Sequence, residues 1–241
     1  MGYNYENGGN PLDFFQRYPH KIKVVDLKVD IKTQMEYFAF LSNVSKNYSS
    51  NDFAGAVREH AFAPGAPMDV RKRLLALLSC FEEVEVLRAL EEYEACCPDE
   101  LKDFVAVCVY QCRMGIESSL LGEHHAMVVS GMGGKDNKIR YFAALATCSG
   151  KAWSDTERHL LSEELALTCK EYDAVVEQLE FSGKYAKMLL LTPITLSPVT
   201  VVRSAKDASN AIGVFISQQE VITNVSRLTD EKLDRIFSGE E

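Results

Sequence analysis

The chain has 241 residues, 46% of them hydrophobic, and its 26 Lys+Arg against 35 Asp+Glu give a formal charge of −9. That hydrophobic fraction is ample for a packed core, while the acidity argues against nucleic acid as a partner through a broad basic surface, since phosphate neutralisation drives such binding. No stretch reaches the roughly 20 apolar residues of a membrane span, and the N-terminal segment lacks the apolar run of a signal peptide, so the chain reads as cytoplasmic, with no membrane partner.

Residues 1–20 carry Gly, Asn, Tyr and Pro without periodicity and read as an N-terminal arm. In "KIKVVDLKVDI" the apolar residues Ile22, Val24, Leu27, Val29 and Ile31 alternate around a one-residue slip, which predicts a strand over 22–31 with a bulge. Met35, Phe38, Leu41 and Val44 then recur at helical spacing, and a second helix is expected from Asp52 to Phe62. The prolines of "APGAP" at 63–67 stop it.

"VRKRLLALL" from Val70 and "LKDFVAVCV" from Leu101 stand 31 residues apart, and "EEVEVLRALEEYEA" supplies a helix between them. A helix, a second helix and then the first again is the pattern of a stacked repeat. On "CPDELKDFVAVCVYQC", residues 97–112, the region 52–120 resembles bacterial HEAT-like helical repeats. Such repeats act as scaffolds and binding surfaces, so the resemblance implies interaction rather than catalysis.

After Gly122 the pattern changes to strands. Residues 124–130 and 139–147 are short and apolar, and "GMGGKDNK" between them suits a hairpin turn. Tyr141 to Ala146 is apolar at every position, which predicts a strand covered on both faces. "SDTE" at 154–157 is a capping box opening a helix expected to run to about Phe181 and to end at Gly183. "AKMLLLT" reads as a strand, Ser197-Pro198 as a helix start, "VFISQQEVIT" as a strand and "TDEKLDRIF" as a last helix. The expected class is α+β: an arm (1–20), a mostly helical HEAT-like domain (21–122) and, packed with it, a mixed-sheet domain (123–241) in the order β-β-α-β-α-β-α.

The loop at 131–140 excludes two nucleotide motifs. A Walker A loop would need Gly where Val129 stands and Ser or Thr where Asp136 stands, and the dinucleotide pattern begun by Gly131 and Gly133 fails at Asp136. What remains is Gly131, Gly133 and Gly134 with Lys135, Lys138 and Arg140, a set able to hold an anion or a partner through backbone N–H groups and cations. Turn chemistry alone also accounts for the Gly, Asp and Asn residues. His124 and His125 are acid-base candidates, although neighbours on a strand point to opposite faces; either could pair with Cys148.

Seven cysteines fall in apolar patterns without a C-x2-C pair, so reduced, buried thiols are expected rather than zinc ligands. No cofactor or metal motif and no G-x-S-x-G elbow is present. These features favour a non-enzymatic protein-binding adaptor or scaffold with another protein as partner. The alternative is an enzyme or small-ligand sensor holding an anionic ligand at the 131–140 loop, and homodimerisation is open to either.

Overall fold

The computed structural model describes residues 22–42, 51–63, 65–123 and 125–239. The expected arm over 1–20 lies outside the described residues. The chain is α+β and divides into two compact units, Leu27–Gly131 with 22–23, and Met132–Glu241 with Val24–Asp26. No helix among the described residues is long and apolar enough to cross a membrane.

After β1 (Ile22–Lys28), whose residues Val24–Asp26 belong to the second unit, the first unit runs through α1 (Ile31–Ser42), α2 (Asn51–Ala61), α3 (Met68–Leu78), α4 (Val84–Cys96), α5 (Asp99–Leu121) and β2 (Ala126–Ser130), with β1 and β2 forming a two-stranded sheet. β1 stops short of the expected Ile31 because Asp30 starts a helix: its carboxylate accepts the Lys32 N–H at 2.7 Å and the Thr33 hydroxyl at 2.6 Å. Tyr37 is fully buried, shares a 2.8 Å hydrogen bond with the Ser79 hydroxyl and meets Phe104 edge-on at 5.7 Å. The helices 31 residues apart in the repeat pattern, α3 and α5, have 11 and 23 residues.

Cys108 and Cys112 lie on the buried side of α5, where the Cys112 thiol donates to the Phe81 carbonyl at 3.2 Å and burial pushes its pKa up to about 12. A thiol so placed is inert at neutral pH. Cys97 and Cys169 are also buried, whereas Cys80, Cys96 and Cys148 are exposed, so the expectation of seven buried thiols is corrected at those three positions.

The second unit contains β3 (Gly134–Lys135), β4 (Lys138–Thr147), α6 (Asp155–Glu171), β5 (Val175–Ser182), β6 (Tyr185–Pro193), α7 (Pro198–Ile212), β7 (Ile216–Thr223) and α8 (Asp230–Ser238). The main strands lie in the order β7-β4-β6-β5, with β3 paired to β4, and all these pairings are antiparallel. The succession β4-α6-β5-β6-α7-β7 in this order is the doubled split β-α-β of ferredoxin-like domains.

Three expectations change here. The capping box at Ser154 and Glu157 forms, but α6 ends at Glu171 rather than near Phe181, and residues 175–182 make strand β5. Asp173, at φ 50, turns the chain out of the helix, and Gly183, at φ 55, turns β5 into β6. The added strand β5 reverses the chain before β6, so β6 runs against its neighbour β4 instead of along it, which is why the sheet is antiparallel instead of mixed. Finally, 126–130 does not form a hairpin with 139–147. Asp136 and Asn137 both have positive φ, the two-residue turn that matches strand twist, so the hairpin closes tightly between β3 and β4 and leaves β2 to pair with β1.

Strand alternation sends Ala143, Leu145, Ala186, Met188 and Leu190 to one face, where Leu161 and Leu165 of α6 and Val201, Val202 and Ala205 of α7 cover them. The opposite face carries Phe142, Ala144, Tyr185 and Leu189, part-covered by Leu233 and Phe237 of α8. Charge also holds α8 there: Asp234 accepts from the Tyr185 hydroxyl at 2.7 Å and pairs with Lys184 at 2.7 Å, while Asp230 pairs with Lys187 at 2.6 Å. The expectation that β4 is covered on both faces therefore holds.

α7 is tied to β7 by a buried ion pair. Lys206, 3% exposed, donates to the Glu220 carboxylate at 2.6 Å and to the Gln218 carbonyl at 2.7 Å, and Arg203 donates to the same carboxylate. Burial alone would raise the Glu220 pKa, but the hydrogen bonds and charges of Lys206 and Arg203 together outweigh it and leave the carboxyl below its ordinary value. A lowered folded-state pKa contributes stability above the unfolded value of about 4.3, lost as pH falls through the folded value. Glu220→Gln should cost about 1–2 kcal/mol at pH 7. In urea unfolding at pH 7 and pH 3.5 the gap to wild type should narrow at the lower pH; a constant gap would exclude the carboxylate charge as its source.

Candidate functional site

The loop residues separate into buried and exposed groups. Gly133 and Gly134 are buried, and the Met132 N–H donates to the Asn224 carbonyl at 3.1 Å. A Cβ on Gly134 would collide with the Lys138 carbonyl oxygen and with Val24 Cγ1, so this glycine serves a close approach between backbone and neighbour rather than a special φ. Asn137 uses its side-chain oxygen to accept the Val24 N–H at 2.9 Å.

The cations of the loop are placed differently from one another. Lys138 pairs with Asp173 at 2.8 Å. Arg140 is 8% exposed: its guanidinium forks onto Glu177, with Nη2 3.0 Å from Oε1 and Nε bonded to Oε2, while Nη1 donates to the Met132 carbonyl at 2.9 Å and lies 3.5 Å from Asp26. Glu177 reaches this position because the β5–β6 ladder shifts register between Val176 and Gln178, and a bulge re-aims its side chain. Lys135 is exposed and has no ion-pair partner among the described residues. Gly131 precedes the turn and is half-buried.

His124 lies outside the described residues. His125 has a side chain 9% exposed, with Nε2 3.8 Å from Glu123 and a buried Nδ1 that lacks a hydrogen-bond partner among the described residues. Cys148, the thiol expected to couple with a histidine, is exposed and follows β4, where its N–H donates to the Phe215 carbonyl at 2.8 Å. Among the described residues no three His, Cys, Asp or Glu side chains are grouped to hold a metal ion.

A cleft of about 150 Å³ opens on the sheet face opposite α6 and α7. Phe142, Leu189 and Leu228 give it an apolar floor, and Gln178, Glu180, Lys187 and Arg227 stand at its margin. Strand register explains the grouping. Phe142 faces Leu189 across β4–β6, Leu189 faces Gln178 and Lys187 faces Glu180 across β6–β5, and Arg140 lies two residues before Phe142 on the same face. Lys187 is paired with Asp230, whereas Arg227 and Glu180 are exposed and have no ion-pair partner among the described residues.

None of these four margin residues follows from helical periodicity in the sequence. Gln178 and Glu180 fall in a segment that reads as a helix end, and only the alternation across β5, interrupted by its bulge, would have put them together. Arg227 comes from the connection between β7 and α8, with no motif around it.

No protein-family model matches the chain, and no curated protein matches it. A solved structure from Deinococcus radiodurans, described as "a putative transposase", is similar at 17% identity with a TM-score of 0.37, over 43% of this chain and 92% of that one. The expectation of a non-enzymatic adaptor or scaffold is withdrawn, since none of these comparisons supports it. A likeness of this size assigns no activity to the present chain.

Proposed function

We propose that the split β-α-β unit is a small-ligand-binding module that takes a compact anionic ligand in the cleft on its open sheet face. The observation that carries this reading is Arg227, an exposed guanidinium without an ion-pair partner among the described residues, set at the margin of a cleft with an apolar floor. Small-molecule sites combine such a floor with a few placed polar groups. A guanidinium presents a planar fork that matches carboxylate and phosphate oxygens. Gln178 supplies a further donor beside it, and Lys187 raises the local potential although it is shared with Asp230.

Lys138 and Arg140 of the neighbouring loop are occupied by Asp173, Glu177 and Asp26, so they hold the framework and leave recognition to Arg227. The cleft, about 150 Å³, lies below the roughly 300–1,000 Å³ of ordinary drug-sized pockets, which suits a compact ligand.

Calorimetric titration with orthophosphate, acetate, pyruvate and citrate tests the reading on the full chain. At least one anion should bind, and Arg227→Gln should weaken it by about tenfold or more, the equivalent of losing a charge-assisted hydrogen bond. Arg235→Gln, on α8, serves as a charge control and should leave affinity unchanged. Absence of binding by all four and by every other small carboxylate, or equal affinity in the Arg227 variant, would overturn the proposal.

A further inference from the structure

Resting on that reading, we infer that the ligand is a small zwitterion, an amino-acid-like molecule whose carboxylate meets Arg227 and whose ammonium meets Glu180. Both residues line the cleft, yet neither has an ion-pair partner among the described residues, and they are not paired with each other. Two opposite charges that share a cleft margin without closing on one another leave space for a ligand that answers both.

The surroundings narrow the chemistry. The other charged residue at the margin, Lys187, is matched by Asp230 at 2.6 Å, so the local balance is one free cation and one free carboxylate among the described cleft residues. A ligand that is only anionic would satisfy Arg227 but would share the cleft with Glu180, a like charge, and like charges in one site repel. A ligand that is only cationic would face Arg227 in the same way. A zwitterion satisfies both, and Gln178, which both donates and accepts, can contact either end.

Strand geometry holds Glu180 in place. It faces Lys187 across the β5–β6 ladder, so its backbone is fixed by a rigid sheet rather than by a loop. Phe142 is 3% exposed and Leu189 8% exposed; they give the ligand's carbon chain an apolar surface on which a short aliphatic body fits. Selectivity for the zwitterion is therefore placed in two residues on two different segments, β5 and the β7–α8 connection.

The test is titration of the full chain with L-alanine and L-leucine, which share one charge separation, and with β-alanine and γ-aminobutyrate, in which it grows, together with the N-acetyl and carboxamide derivative of each. Wild type should bind at least one zwitterion and bind its N-acetyl and carboxamide forms about tenfold more weakly or worse. Glu180→Gln should weaken the zwitterion while removing the disadvantage of the N-acetyl form, and Arg227→Gln should do the converse with the carboxamide. If an N-acetyl form or a simple anion binds wild type as well as the zwitterion and Glu180→Gln changes nothing, the zwitterion inference falls and the anion-binding reading stands. If neither the zwitterions nor the simple anions bind, both fall.

Discussion

Arg140→Ala is expected to destabilise the second unit by about 3 kcal/mol, because removing one member of a buried ion pair leaves its partner charged and unmatched. The Arg140 side chain is 10% exposed and that of Glu177 24%, so water reaches Glu177 only in part, while Asp26, at 64%, is readily solvated. The loss is therefore assigned to Glu177 and to the Met132 carbonyl, which would lose its donor. Arg140→Lys should recover less than half of it, since an ammonium cannot make the two parallel bonds of a fork. Arg140→Met combined with Glu177→Met should recover most of it, as apolar replacement of both partners is often near neutral. Urea unfolding followed by far-UV circular dichroism measures all three variants. A single-variant cost below about 0.5 kcal/mol would place Arg140 among ordinary surface pairs.

Gly134→Ala carries the next largest effect, about 2–3 kcal/mol, in the range for overpacking a close contact. The added methyl would strike the carbonyl oxygen of Lys138, which belongs to the paired strand and cannot swing away, and Val24 Cγ1 on the other side. Adding Val24→Ala to Gly134→Ala relieves only the side-chain contact, so it should restore a minority of the stability. If the double variant matched wild type, the backbone clash would not be the cause. Gly133→Ala offers a comparison: at φ 68 its cost arises from the left-handed backbone, about 1–2 kcal/mol.

Both variants lie in the stretch that looks most like a binding loop in the sequence, and they show how differently its residues are used. The glycines and Asp136-Asn137 were legible as turn chemistry, and the structure uses Asp136 and Asn137 as that turn. The cluster Lys135, Lys138 and Arg140 was legible as cationic, but its state was not: Lys138 is met by Asp173, 35 residues on, and Arg140 by Glu177, 37 residues on, and by Asp26, 114 residues back. Charge is a property of a residue, whereas neutralisation is a property of a neighbourhood.

The misread segment 175–182 has the same origin. "VVEQLEFS" carries a bulge at Glu177 that interrupts the two-residue alternation, and it follows a well-capped helix whose acidic, Leu-rich pattern runs on without a proline. Local propensity extends that helix; pairing of Val175 to Ser182 with β6 overrides it, since the ladder satisfies the backbone groups on the strand's inner side and its side chains pack against the sheet. The capping box at Ser154, the strand Lys138–Thr147, the start of α7 at Pro198 and the last helix after Thr229 were all readable, because each depends on signals within a few residues.

The amino-acid sequence by itself determined the α+β class, the helix starts, the apolar strand covered on both faces and the suitability of Asp136-Asn137 for positive φ, all of which follow from short-range sterics, capping and hydrophobic periodicity. Only the tertiary structure decided that β2 pairs with β1, that the second sheet is antiparallel, that Lys138 and Arg140 are matched, and that Gln178, Glu180, Lys187 and Arg227 share one cleft. Those outcomes depend on which distant strands lie side by side, and a one-residue change of register would send each of these side chains to the opposite face.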